Sequence, residues 1–339
     1  MNNEERKLFW ETLCSLDGED IEDDFQQIKT KILYPKFLYR YRPISDNNID
    51  ALKNNKLYFS RSSYYDDPFD TYLHIDYKNI YQQLINTEDR KKSAVEMFRQ
   101  ICLEKGMDKK VIENLIKEIN STSTEQLFNV LVSFMKNEIQ PIIRNTSMSI
   151  CFSESGLNET MWLKYANQYK GFCLMYSLDD DEKFLCGKQE KCKYCGVHLY
   201  GTPLYPMYYS EIRYDATKYA YNLTHEYFLR NIYPDMSEKE ILSRLEPCIW
   251  EKEKVTLIKS KCHEYDAEWR MILSRQMKEP VMREWIPYGV ILGLKIGDNE
   301  RSIVIDSAKH AGIKHIFQSV INNNGGLDMI EITEEINNA

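Results

Sequence analysis

The stretch "FLYRYRPISDNNIDALKNNKLYFS", residues 37–60, decides how the rest of the chain is read. Its first six residues alternate as a strand does. Phe37, Tyr39 and Tyr41 share one face, and Leu38, Arg40 and Arg42 share the other. Ser45 or Asp46 is placed to cap a helix from about 46 to 54, whose apolar side is Ile49 and Leu52. "KLYFS" (56–60) then reads as a second strand. Two arginines on one face of a half-buried strand repel each other and are costly to bury unpaired. Two partners fit them. One is a set of carboxylates on a neighbouring strand. The other is a phosphate or pyrophosphate group, which the planar guanidinium fork suits.

Residues 3–31 read as one or two amphipathic helices, so 1–36 is taken as an N-terminal helical segment. Residues 76–140 carry apolar positions at helical spacing and read as a helical insertion. Strands follow at about 146–152 ("TSMSICFSES"), 171–178 ("GFCLMYSL") and 267–274 ("AEWRMILS"). The strand pattern resumes in "LYPMYYSEIRY" (204–214), another strand lies in "WIPYGVILGLKIG" (285–297), and a last one is "GLDMIEIT", after a helix that leads into "KHIFQSVI". Helices occupy about 216–259 and 299–311, with a capping box at "SEKE" (237–240). Asn158 caps "ETMWLKYANQY", which puts Trp162, Tyr165 and Tyr169 on one helix face. The pattern predicts an α+β fold. Residues 37–339 are expected to form one domain around a mostly antiparallel, split sheet.

The chain has 339 residues, 43% hydrophobic and 12% aromatic, with 24 tyrosines, which is enough for a sizeable core. A formal net charge of −8 argues against passive binding along a duplex. No stretch resembles a membrane span, and the N-terminus lacks a signal peptide's basic start and apolar core. A cytoplasmic location is expected, with no membrane partner and nine reduced cysteines.

Several stretches carry candidate chemistry. In "HEYDAEWRMIL", Asp266, Glu268 and Arg270 share one strand face, and Ala267, Trp269 and Met271 the other. Glu268 is expected to lie across from Arg40 and Arg42. It either pairs with them or stays available to polarise a ribose hydroxyl or act as a base. "SRSSYYDDPFD" follows a strand and offers Ser60, Ser62, Ser63, Asp66, Asp67 and Asp70. These fit a pocket rim or a polar turn. Ser153 and Glu154 end a strand. Cys186, Cys192, Cys195 and His198 have the spacing C-x5-C-x2-C-x2-H, which suits a structural zinc site or a loop of unligated thiols. There is no P-loop, G-x-G-x-x-G, H-E-x-x-H or G-x-S-x-G.

The segments "LYRYRPISDNNIDALKNNKLYFSRSSYYDDPFD", "CFSE", "MWLKYANQYKGFCLMYS", "LYPMYYS", "EYDAEWRMIL" and "GVILGLKI" occur in that order. Over about residues 37 to 320 the chain resembles the bacterial family catalogued as domain of unknown function 2971. It departs from that pattern at "YYDDPFD", where the family pattern has Asn before Asp-Pro. The helical stretch and the cysteine cluster lie outside the pattern, so the resemblance lends zinc no support. The order of residues is also similar to ADP-ribosyltransferase cores. That similarity implies an NAD-using enzyme, a toxin or anti-phage effector, acting on a protein or nucleic-acid acceptor. Arg42, with Arg40 as alternative, would hold the pyrophosphate. Tyr58, Ser60, Ser153 and Arg270 would line the nucleotide pocket, and Glu268 would be the catalytic carboxylate. The alternatives are a non-catalytic sensor of a nucleotide or phosphate ligand, and a nucleic-acid-processing enzyme. The last needs Asp66, Asp67, Asp70 and Glu268 to converge.

Overall fold

β1 (Phe37–Arg42) forms at the predicted residues and lies inside the main sheet. The computed structural model describes residues 1–85, 95–96, 99, 102–103, 106–178, 204–245, 249–273 and 282–338. The strands after β1 are β2 (Lys56–Tyr58), β3 (Ser60–Arg61), β4 (Met148–Ser153), β5 (Phe172–Ser177), β6 (Leu204–Pro206) and β7 (Tyr208–Ser210). Then come β8 (Ile258–Ser260), β9 (Glu268–Ile272), β10 (Met282–Glu284), β11 (Gly289–Leu292), β12 (His315–Ile321) and β13 (Leu327–Glu331). Among the described residues the main sheet has nine strands. Eight follow the order β13-β12-β11-β5-β1-β4-β9-β6, and β3 pairs with β4 off that path. Its pairs are antiparallel except β11–β12. The helix Asp298–His310 joins those two strands and supplies the crossover that parallel neighbours need. This is an α+β fold.

The sheet forks beside β4. β1 and β4 share one registered pair, Tyr39↔Ser153. Farther along, β3 takes over, with Ser60↔Ser149 and Arg61↔Met148. The reason lies in "KLYFS". It is not one strand, because β2 pairs with β10 in a separate two-stranded sheet. The chain then changes sheets at Phe59, whose ring is buried in the core. Tyr58 and Ser60 therefore belong to different sheets.

The chain divides into two compact units. The first comprises Met1–Tyr72, Arg144–Tyr214 and Cys248–Ala339; the second comprises Leu73–Ile143 and Asp215–Pro247. In the first unit, α1 (Asn3–Ser15) and α2 (Ile21–Lys29) are not a segment apart. Phe9, Trp10, Leu13 and Ile28 sit in the same core as Leu38, Phe152, Trp269 and Val290. α3 (Asp46–Lys53) starts at Ser45, whose hydroxyl accepts the Asn48 N–H. In the second unit, the predicted helical insertion is joined by the helices Thr217–Ile232 and Glu238–Ser243, a partnership that spacing along the chain does not encode. Phe134 stacks on Phe228 there, and the Asp76 N–H donates to Thr217 Oγ1. No described helix is long and apolar enough to cross a membrane.

One aromatic prediction changes in detail. The helix capped by Asn158 ends at Tyr165, not Tyr169. Asn167, Gln168 and Tyr169 follow with φ of 48°, 57° and 69°, a left-handed turn. That turn folds Tyr169 back until its ring stacks on Trp162 at 6.0 Å. Trp162 is fully buried with Tyr41, Cys173 and Ile291, so the aromatic stripe is core at that point.

Candidate functional site

The fork encloses a cavity of about 280 Å³ in the first unit, lined by residues of β1, β3, β4 and β9 together with the loop after β3. Directly opposed strand residues share a sheet face. The register Tyr39↔Ser153↔Glu268 therefore puts Glu268 on the Tyr39 face. By alternation, Arg40 and Arg42 belong to the other face, with Leu38. The expectation that Glu268 lies directly across from the arginines is thus corrected. Both groups nevertheless line one cavity, because the strands part between them.

Glu268 does not neutralise the arginines. Its Oε1 accepts from Arg270 Nε at 2.6 Å and its Oε2 from Lys259 Nζ at 2.6 Å. Arg270 also forks onto Asp70, with Nη1–Oδ1 at 2.8 Å and Nη2–Oδ2 at 2.5 Å, and donates to the Thr256 carbonyl at 2.8 Å. Lys259 lies 3.4 Å from Asp70 and 3.5 Å from Asp266. Burial alone would raise the Asp70 and Glu268 carboxyls, but Arg270 and Lys259 outweigh it and hold both below the usual range. Burial likewise opposes the charge of Arg270, which Asp70 and Glu268 more than restore. Asp70, Lys259, Glu268 and Arg270 form a buried network whose members satisfy one another.

The backbone at Glu268 is fixed from behind. Its N–H donates to Tyr209 Oη at 2.7 Å, and its carbonyl accepts from Met207 N–H and from Arg6 Nη1 at 2.9 Å. Ala267, just before it, has a φ of 43°, a left-handed conformation costly for a residue with a Cβ. The Glu154 N–H bonds the Ala267 carbonyl and helps hold that turn.

The arginines are in a different state. Arg40 is 8% exposed, and its Nη1 has no hydrogen-bond partner among the described residues. Burial disfavours the charge of Arg40. For Arg42, burial first and the Arg40 charge second push the guanidinium down to about 9. Neither guanidinium has a carboxylate partner among the described residues. A second cavity, of about 350 Å³, meets the same pair beneath α3 and is also lined by Asn48, Lys56, Tyr58 and Ser60.

Of the predicted residues, Arg40, Arg42, Ser60, Ser153, Glu268 and Arg270 line the first cavity. Tyr58 lines the second instead. Ser153 Oγ donates to the Asp266 carbonyl at 2.8 Å, and the donors of Arg270 are engaged as above, so both serve the frame. Cys186, Cys192, Cys195 and His198 lie outside the described residues. Asp66, Asp67, Asp70 and Glu268 do line one cavity, but Lys259 and Arg270 stand among them. Among the described residues, no group of three or more His, Cys, Asp or Glu is placed to hold a metal ion. Sequence reading missed Lys259, His263, Tyr65 and Cys151. The one legible signal was a lysine inside the apolar run "VTLIK". The Cys151 thiol is pushed up to about 11 by burial and by Glu268, so it is protonated at neutral pH. Compared with known proteins, the chain matches no family model, and no curated protein or solved structure matches it at a significant level.

Proposed function

We propose that the fork is a binding site for a phosphate-bearing nucleotide, with Arg40 and Arg42 as its anion contacts. The observation that carries this reading is Arg40 Nη1, buried without a hydrogen-bond partner among the described residues, beside a second, half-buried arginine whose charge burial also disfavours. A phosphate or pyrophosphate supplies the missing acceptors and offsets the repulsion between the two guanidiniums. Ser60 adds a hydroxyl at the same wall of the cavity. Isothermal titration with pyrophosphate, ADP-ribose and NAD tests it. At least one should bind, and Arg42→Ala should weaken it by tenfold or more, the scale of a charged hydrogen bond at about 1.5–3 kcal/mol. Equal affinity in wild type and Arg42→Ala, or no binding of any of the three, sinks the reading.

A second reading, ADP-ribosyl transfer from NAD, is favoured by one further observation: Glu268 borders the same cavity and is held ionised. In that reaction the ribose C1′–nicotinamide bond breaks and nicotinamide leaves with the bonding pair. A new bond forms from C1′ to the acceptor, whose proton passes to solvent. A carboxylate stabilises the oxocarbenium character of the ribose in between. Because both Glu268 oxygens are bound by cations, its role here is electrostatic rather than that of a strong base. Nicotinamide release is the readout. Wild-type turnover that falls at least a hundredfold in Glu268→Gln supports the reaction. Nucleotide binding without nicotinamide release leaves a sensor rather than an enzyme.

A further inference from the structure

We propose that the part of this cavity formed by Asp67, His263 and Asp266 binds a cationic nitrogen group, an amine or a guanidinium. The inference rests on the cavity being a ligand site, but not on the arginines holding a nucleotide. Three buried polar atoms here have no hydrogen-bond partner among the described residues: Asp67 Oδ2, Asp266 Oδ1 and His263 Nδ1. All three residues line the cavity. The His263 ring stands between the carboxylates, with Nε2 3.3 Å from Asp67 Oδ2 and Nδ1 3.6 Å from Asp266 Oδ2. Neither approach makes a hydrogen bond.

Asp266 is 2% exposed; Lys259 stands 3.5 Å from its Oδ2 without hydrogen-bonding it, and its Oδ1 has no hydrogen-bond partner among the described residues, so its desolvation is only partly offset. Burial, ahead of the opposing pull of Lys259, raises its carboxyl above the usual range. The neighbouring cations do not meet the need. Lys259 is engaged at 2.6 Å by Glu268, and Lys164 Nζ is turned to Tyr265 Oη at 3.2 Å. Besides the exposed Asp66 and Lys164, four carboxylates (Asp67, Asp70, Asp266 and Glu268) on this side face two buried cations, Lys259 and Arg270. The deficit of positive charge lies on this side of the cavity, while the unpaired positive charge of Arg40 and Arg42 lies on the β1 side. A cation with several N–H donors bridges two carboxylates and fits what is missing.

Agmatine, a guanidinium without a carboxylate, is the probe, titrated into the full chain by calorimetry and by shifts of the His263 ring resonances. Binding is expected, weakened at least tenfold in Asp266→Asn and in Asp67→Asn and kept in Arg42→Ala. The partly exposed Asp67 serves as the second variant if Asp266→Asn does not fold. No agmatine binding, or binding in both asparagine variants as tight as in wild type, overturns the proposal. So does a His263 ring that stays protonated well above the ordinary histidine range without agmatine, because the histidine is then itself the missing cation. A parallel titration with pyrophosphate keeps the two readings apart: its failure with agmatine still bound removes only the phosphate reading.

Discussion

Arg270 holds the ion network together, because its one guanidinium bonds both Asp70 and Glu268. Replacing it with methionine, of similar length, leaves two carboxylates buried with Lys259 alone. The expected cost is about 3–5 kcal/mol, read by urea unfolding. Acid should act in the same direction. The folded-state pKa values of Asp70 and Glu268 lie below the reference values of 3.8 and 4.5, so their contribution is complete above that range. It is lost as pH falls through the depressed folded values. Asp266 has the opposite sign, since its raised carboxyl costs stability at neutral pH and that cost is relieved on protonation. The thermal unfolding temperature should therefore fall from about pH 4.5 toward pH 2 in wild type and fall much less in Arg270→Met. A parallel decline in both would contradict the assignment. At this scale the alternation of "DAEWRMI" made the charged face legible. It could not reveal that Asp70, 200 residues from Arg270, is the partner.

Elements decide where the cavity opens. β1 is held on its other side by the full six-residue register with β5, from Phe37↔Ser177 to Arg42↔Phe172. That support lets its Arg42 end leave β4 without fraying. Gly171 permits the close approach there: a Cβ at this position would stand 2.1 Å from the Arg42 carbonyl oxygen, and backbone cannot yield cheaply. Gly171→Ala should cost at least about 2 kcal/mol in urea unfolding. It should also weaken whatever ligand Arg42 binds, because the strand carrying it must shift. Unchanged stability would mean that the β1–β5 edge is softer than its register implies. The strand and helix identities were readable from periodicity and caps. The break at Phe59 was not, since "KLYFS" alternates well as a single strand and only the separate pairing of β10 and β4 divides it.

Across the whole molecule, two units with their own internal packing should open independently. In hydrogen exchange the slowest amides are expected in β1, β5 and β11, which are paired on both sides within the sheet. The helices of the second unit, with the small buried cluster Cys102, Ile112 and Ile116, should exchange at a lower opening free energy. One common rate for both would argue for a single cooperative body. Local order follows from the sequence alone: the α+β class, most strand and helix positions, the helix caps, and the two faces of each strand. Those follow from backbone geometry over a few residues. Tertiary structure alone decided which charges meet. Strand alternation fixes a face but not a register, and pairing is set by packing between distant segments. That is why Glu268 ended with Arg270 and Lys259, while Arg40 and Arg42 were left facing an open fork.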